Sequence, residues 1–260
     1  MVQGRAEGMW ATERRRRIME ILTARRQVSA GTLADLLGVS RETVRRDLVE
    51  MEKEGRLTRV HGGAVLPPQS SEPPFRKRLN TKLREKREIA RKAAGLIRPG
   101  QCVMIDAGTT TSVFARELIR VPDIMVVTNS IDIATTIQNA RTNIELVLLG
   151  GALVSDVPGT YGVMTLAEIE RFRADIAFVA PVALDAAEGA FDFELHEAEV
   201  AGAMAAQARR VVMLVDHGKL GVTSRVRYCR PEEIDTLVTD TGAPAEMVRA
   251  FERAGIEVVR

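Results

Sequence analysis

Leu33-Ala34-Asp35-Leu36-Leu37-Gly38-Val39-Ser40-Arg41-Glu42-Thr43-Val44-Arg45-Arg46-Asp47-Leu48 decides the N-terminal fold. Leu33, Leu36 and Leu37 fall at helical spacing, and Ser29 ahead of them is a good N-cap. Gly38 stands where a helix ends on a left-handed residue. Ser40 then caps another helix, with Val44, Leu48 and Met51 on one side and Gly55 at its end. Working outward, Ile18, Ile21 and Leu22 follow the basic run Arg14 to Arg17 and predict a first helix from Glu13. Gln27-Val28-Ser29 reads as the break after it. Downstream, Arg56-Leu57-Thr58-Arg59-Val60 and Ala64-Val65-Leu66 flank His61-Gly62-Gly63 and read as a β-hairpin. Three helices and a hairpin predict a winged helix-turn-helix over residues 13–66, preceded by a tail of residues 1–12.

If Val44, Leu48 and Met51 face inward, then Arg41, Glu42 and Arg45 face away. They lie near the helix N-terminus, the part of a helix-turn-helix that enters the major groove. Arginine there can hold guanine O6 and N7 in a bidentate manner. Candidate DNA contacts are therefore Ser40, Arg41, Glu42, Thr43, Arg45 and Arg46 on the helix, with Arg56, Arg59 and His61 on the wing. Arg46 is placed for phosphate rather than bases. Asp47 repels DNA, so it is expected to bond a neighbouring arginine or backbone group. Charge agrees with this placement. The net formal charge is +2, yet residues 1–80 carry a net of +6 and the remainder a net of −4. A basic head on a mildly acidic body points to a polyanionic partner, here double-stranded operator DNA.

Pro67 to Phe75 holds four prolines and two serines and reads as a linker, so a second domain is expected over residues 76–260. A basic helix from Leu83 to Ile97 opens it. Apolar runs then alternate with amphipathic stretches. The runs are Cys102–Asp106, Ile124–Thr128, Ile144–Leu149, Ile176–Val179, Val211–Val215, Leu237–Thr239 and Ile256–Val259. The stretches are Val113–Ile119, Ile131–Asn139, Glu197–Ala208 and Ala245–Ala254. Such alternation predicts an α/β domain with a mainly parallel, helix-flanked sheet. A hydrophobic fraction of 45% with only 4% aromatics suits it.

Ligands of open α/β sheets sit beyond the C-terminal strand ends. Those ends read Asp106-Ala107-Gly108-Thr109-Thr110-Thr111, Thr128-Asn129-Ser130, Gly150-Gly151 and Asp216-His217-Gly218-Lys219. Gly108 admits a close approach. Thr109, Thr110 and Thr111 offer hydroxyls and N–H groups at a helix N-terminus, which favours an anion. Lys219 supplies a positive charge, and Asp106 and Asn129 are candidates for ligand hydroxyls. Glu194, His196, Glu197 and Glu199 form an acidic cluster that reads as solvated carboxylates at a helix start, without the second histidine of a zinc site.

The helix-turn-helix stretch, with Arg59-Val60-His61-Gly62-Gly63-Ala64 after it, resembles the N-terminal signature of the DeoR family of bacterial regulators. The three motifs occur in order, and the resemblance runs through most of the chain. It implies a repressor that leaves its operator when a phosphorylated sugar or related metabolite binds the C-terminal domain. The Glu-Ala pair of the family is matched by Glu197-Ala198, which implies that Glu197 lines the pocket mouth. The family's sensor domain is itself similar to ribose-5-phosphate isomerases, so an isomerase-like enzyme with an added DNA-binding head is a second reading. Isomerases of that type need carboxylates after a middle strand, whereas here Ala180-Pro181-Val182-Ala183 follows Ile176–Val179. The chain also departs from the family's regulators near Pro181, which lacks their glycine, and near Ala201 and Gly202, which lack their lysine. An effector-independent regulator is the third reading.

The two cysteines, Cys102 and Cys229, show no metal-binding spacing. Neither a G-x-G-x-x-G nor a Walker sequence is present, so no cofactor, metal or catalytic residue is expected. Without a signal-like start or an apolar run of roughly 20 residues, a cytoplasmic protein off the membrane is expected. One head reads few base pairs, so a homo-oligomer, at least a dimer, is expected.

Overall fold

The computed structural model describes residues 11–25, 27–53, 57–60, 62–65 and 73–260. The chain divides into two compact units, Met1–Glu72 and Pro73–Arg260.

The first unit contains α1 (Ala11–Arg25), β1 (Gln27–Ser29), α2 (Ala30–Leu37), α3 (Arg41–Lys53), β2 (Thr58–Val60) and β3 (Gly63–Val65). Ser29 caps α2 by accepting from the Thr32 N–H at 3.0 Å, and Ser40 accepts from the Thr43 N–H at 3.1 Å. Gly38 stops α2 at a φ of 65°, a conformation costly for any residue with a Cβ. Ile18, Leu22, Leu33, Leu37, Val44, Leu48 and Met51 close one core beneath the three helices. The segment read only as a helix break, Gln27–Ser29, is a third strand. The sheet order is β1-β3-β2, antiparallel throughout. Val28 is buried and pairs with Ala64, so β3 is the middle strand. Gly63 must be bare, because a Cβ there would collide with the Val28 backbone.

The second unit opens with α4 (Phe75–Asn80) and α5 (Leu83–Ala94). Phe75 opens α4 rather than ending a linker: its ring is buried and its N–H donates to Asp156 at 2.6 Å. There follow β4 (Cys102–Ile105), α6 (Thr109–Leu118), β5 (Met125–Thr128), α7 (Ile131–Ala140), β6 (Glu145–Leu148), α8 (Val163–Ile169) and β7 (Ala174–Val179). Then come β8 (Ala183–Asp185), β9 (Gly189–Asp192), α9 (Leu195–Ala206), β10 (Ala208–Leu214), β11 (Val226–Cys229), β12 (Thr236–Val238), α10 (Ala245–Arg253) and β13 (Glu257–Val259). Seven strands form one wholly parallel sheet in the order β13-β12-β10-β7-β4-β5-β6. Alternating side chains serve opposite faces. Val103, Ile105, Ile176, Phe178, Val212 and Leu214 pack with α5, α6 and α7. Met104 and Ala177 pack with α8 and α9, and Met213 and Val215 pack with α9 and α10. The short antiparallel sheet β11-β9-β8 was absent from the sequence reading.

Strand order reverses at β4. From it β5 and β6 run one way, while β7, β10, β12 and β13 run the other. The crevice beyond such a switch point is where open α/β sheets hold ligands. It is framed here by Asp106–Gly108 after β4 and Ala180–Pro181 after β7.

Candidate nucleic-acid interface and ligand site

On α3, Val44, Leu48 and Met51 are buried, while Arg41, Glu42, Arg45 and Arg46 are exposed. The helix therefore presents three arginines from one surface. Arg41 passes over α2, with its guanidinium within 3.5 Å of the space a Gly31 Cβ would fill. Arg46 lies 3.7 Å from Glu42 one turn earlier. Thr43 shares a 2.8 Å hydroxyl contact with Ser40 and braces the first turn. On the wing, Glu52 holds the Arg59 N–H at 2.8 Å and its Nε at 2.7 Å. That grip fixes Arg59 and pulls the Glu52 carboxyl below the usual carboxylate range. Arg56 and His61 lie outside the described residues. Asp47 is turned inward, taking Arg14 Nε at 2.5 Å and Arg15 Nε at 3.3 Å. The expected arginine partner of Asp47 thus comes from α1, and the pair ties α1 to α3.

In the second unit the Gly108–Ser112 segment winds into the first turn of α6. Ser112 N–H bonds the Gly108 carbonyl at 2.9 Å, which leaves the N–H groups of Thr109, Thr110 and Thr111 without intrahelical acceptors. Gly108 has an extended backbone, so space is what requires it: a Cβ would stand 3.3 Å from Thr111 Oγ1 and 3.6 Å from the Ala180 methyl. Lys219 Nζ donates to the Pro181 carbonyl at 3.0 Å, beside Ala180. Asp216 accepts from Lys82 Nζ and from the Gly218 N–H. Burial pushes the Asp216 carboxyl up, but the charges of Lys219 and Lys82 overcome this and hold it below its ordinary value.

The other residues expected at the site also bond within the chain. Thr128 Oγ1 donates to the Ile105 carbonyl at 2.6 Å and accepts from the Ser130 N–H. Ser130 caps α7 through the Ile133 N–H. Asn129 accepts from the Ala107 N–H at 2.9 Å and donates to the Thr160 carbonyl at 3.2 Å, so both ends of its amide already serve the backbone. Gly150 N–H donates to Glu168 at 2.6 Å, and Gly151, at a φ of 149°, leads into the bridge between Ala152 and Tyr161. Glu197 accepts from Ser155 Oγ at 2.6 Å. Burial first, and then the charge of Glu197, push the Asp106 carboxyl well above the carboxylate range.

Sequence reasoning passed over Lys82, Arg78 and Tyr161, and read His196 only as a member of the acidic cluster at a helix start. Arg78 reaches toward Asp156 at 3.8 Å and lies over the Phe75 ring. Tyr161 was marked only by its place between Gly159 and Gly162; nothing in the sequence marks Lys82. A surface groove lined by Ile137, Arg141, Leu146 and Leu148 involves none of these residues. Among the described residues, no cluster suits a metal ion, and no helix is long and apolar enough to cross a membrane.

Comparison with known proteins bears on the family of the chain. A model of the DeoR C terminal sensor domain matches residues 81–241, and one of the DeoR-like helix-turn-helix domain matches residues 14–70. The Glycerol-3-phosphate regulon repressor of Escherichia coli (strain K12) is 32% identical over 243 residues, covering 94% of this chain and 96% of its own. The HTH-type transcriptional repressor GlcR of Bacillus subtilis (strain 168) is 34% identical, covering 96% of both chains. The HTH-type transcriptional regulator GlpR of Haloferax volcanii is 37% identical, covering 96% and 98%. Among solved structures, ribose 5 phosphate isomerase A from Neisseria gonorrhoeae covers 53% of each chain at 17% identity and a TM-score of 0.38. The tetrameric eIF2B-beta2-delta2 complex from C. thermophilum covers 92% of this chain and 69% of its own, at 13% identity and a TM-score of 0.50, a likeness of fold alone. With both domain models matched in order and relatives aligned nearly end to end, the chain belongs to the DeoR family of DNA-binding transcriptional regulators.

Proposed function

We propose that this regulator represses transcription by holding operator DNA with α3, and that a phosphorylated sugar or polyol bound at the switch point of the sheet releases it. The observation that carries the ligand half is the convergence of α6's first turn with Lys219. Three N–H groups and the hydroxyls of Thr109, Thr110 and Thr111 stand at a helix N-terminus, where a phosphate is favoured. Lys219 sits across the crevice on the Pro181 carbonyl, and Lys82 pairs with Asp216, whose carboxyl feels the charge of both lysines. Two lysines against one carboxylate leave a positive surplus for an anion. One relative is named for a glycerol-3-phosphate regulon, which supports a polyol phosphate. On this reading Gly150 and Gly151 shape the crevice, and Asp106 and Glu197 face the ligand's hydroxyls. Arg41 and Arg45 read bases, while Ser40, Thr43, Arg46 and Arg59 meet phosphates. Two copies of the chain bind paired half-sites, since one head spans too few base pairs for selectivity.

The test starts from duplexes selected out of a random pool. Anisotropy of a selected duplex is followed while sugar phosphates are titrated in. Release must come from differential affinity, because a ligand that binds both states equally shifts nothing. By linkage, the duplex then weakens ligand binding by the same factor. Lys219→Met and Thr110→Val are expected to need at least about tenfold more effector for half-release, a loss of about 1.4 kcal/mol. Release at wild-type concentrations in both variants would place the ligand elsewhere, and no release by any sugar phosphate would refute the repressor-release reading.

A further inference from the structure

Tyr161 is a large side chain buried to 1% exposure, yet its phenol oxygen has no hydrogen-bond partner among the described residues. A phenylalanine would fill the same space without stranding a hydroxyl, so the oxygen calls for another explanation. Beside it stands a second orphan: His196 Nε2 is buried and equally without a hydrogen bond. The two rings meet edge to face, with centroids 5.0 Å apart. They come from segments far apart in sequence, the loop before α8 and the first turn of α9, and both reach the switch point. The space a Gly159 Cβ would fill lies 3.0 Å from the phenol oxygen and 2.9 Å from the Ala107 methyl. A glycine at 159 therefore lets the phenol approach the Asp106–Gly108 turn. His196 Nε2 is 3.9 Å from Glu197 Oε1, whose carboxylate Ser155 fixes.

We propose that Tyr161 and His196 read the end of the effector remote from its phosphate, and that this end carries hydroxyl or amino groups and no carboxylate. The inference rests on the polyol-phosphate reading above and narrows it. The groups around the phenol decide the sign. Asp106, Glu197 and Asp192 all raise its pKa by their charge after burial has done so, and only Arg78 opposes them. An incoming carboxylate would meet the Glu197 carboxylate, held by Ser155 at 3.9 Å from His196 Nε2, in a poorly screened site, whereas a hydroxyl or ammonium donor would find acceptors. A site built to bond a ligand hydroxyl discriminates strongly against analogues that lack it, because its own buried groups are then left unpaired.

The full chain is titrated calorimetrically with inorganic phosphate and with two matched pairs. These are glycerol 3-phosphate against 3-phosphoglycerate, and glucitol 6-phosphate against 6-phosphogluconate; each pair differs at the terminal carbon. The alcohol of at least one pair should bind at least tenfold more tightly than its acid. Tyr161→Phe should lose at least fivefold in affinity for that alcohol while melting no lower than the wild type. Acids that match or beat their alcohols in both pairs overturn the inference and leave the phosphate reading standing. So does a Tyr161→Phe variant with wild-type affinity, or one that melts lower, since the hydroxyl would then be bonded within the free protein. If neither inorganic phosphate nor any of the four esters binds, the polyol-phosphate reading falls and takes this inference with it.

Discussion

Asp47→Asn should loosen the DNA-reading unit while sparing the body behind it. Asp47 is 3% exposed and faces inward from α3. It accepts from Arg14 at 2.5 Å and Arg15 at 3.3 Å, whose side chains are 13% and 28% exposed. Removing one partner of a fully buried ion pair costs about 3–5 kcal/mol. Water reaches both arginines, they keep further contacts, and asparagine retains an acceptor, so about 2–3 kcal/mol is the expected loss here. A unit of this size has only about 4–10 kcal/mol in total. At about 4–8 °C per kcal/mol, its melting transition should fall by roughly 10–20 °C. Calorimetry on the full chain should show the head's transition moving alone. Operator binding should survive in the cold, where the head remains folded, and fail first on warming. A shift of the head's transition below about 3 °C would refute the reasoning. The core of Ile18, Leu22, Val44 and Leu48 would then hold α1 on α3 without the ionic tie.

Three further outcomes follow from the same geometry. Arg41→Ala and Arg45→Ala should each weaken specific binding by about 5- to 150-fold, from about 1–3 kcal/mol per bidentate base contact; competition against scrambled DNA at fixed salt checks this, and equal loss on both DNAs would assign these arginines to phosphates. Residues 73–260 alone should give a soluble protein with one cooperative melt, since they form their own compact unit; aggregation or a broad melt would contradict that. Asp106→Asn should melt higher than the wild type at neutral pH. The folded carboxyl is pushed above its ordinary value by burial and by Glu197, so its contribution to stability is present at low pH and is lost as pH rises through the raised value. Melting curves from pH 5 to 8 should slope more steeply downward for the wild type, and parallel curves would show that the carboxyl is solvated.

The parallel strands were legible because strands covered on both faces need continuous apolar runs. Ile144–Leu149 as read and Glu145–Leu148 as observed differ by one residue at each end. Observed β10 starts three residues earlier than its apolar run, because Arg209 and Arg210 lie at an open strand end. There Arg210 pairs with Glu257 at 2.5 Å. The strands β1, β8, β9 and β11 were not legible. Each has only three or four residues, and each is a strand by virtue of its partner rather than its own pattern. At the candidate site, reading strand ends singled out Asp106, the Thr109–Thr111 turn and Lys219. It passed over Lys82, since that residue precedes the first strand of the sheet and reaches Asp216 from the helical segment ahead of it. Tyr161 was hidden for a related reason: the 150–161 loop doubles back through the Ala152–Tyr161 bridge, a pairing no local pattern announces.

The order of strands about β4 has a consequence for how the chain is made. β4 emerges from the ribosome first, and β5 and β6 then add outward on one side in turn. Next β7 docks on the opposite flank of β4, and β10, β12 and β13 extend that flank, again in order of synthesis. Every strand of the sheet therefore meets a neighbour already in place, and none waits for a later segment to be inserted beside it. Parallel pairing is slow when distant segments must find one another, and unpaired edges invite aggregation in the interval. Growth outward from a single founding strand leaves one open edge on each side at every stage of elongation. The founding strand also leads into Asp106 and Gly108, so the crevice is seeded by the oldest strand of the sheet and completed when β7 and then Lys219 arrive.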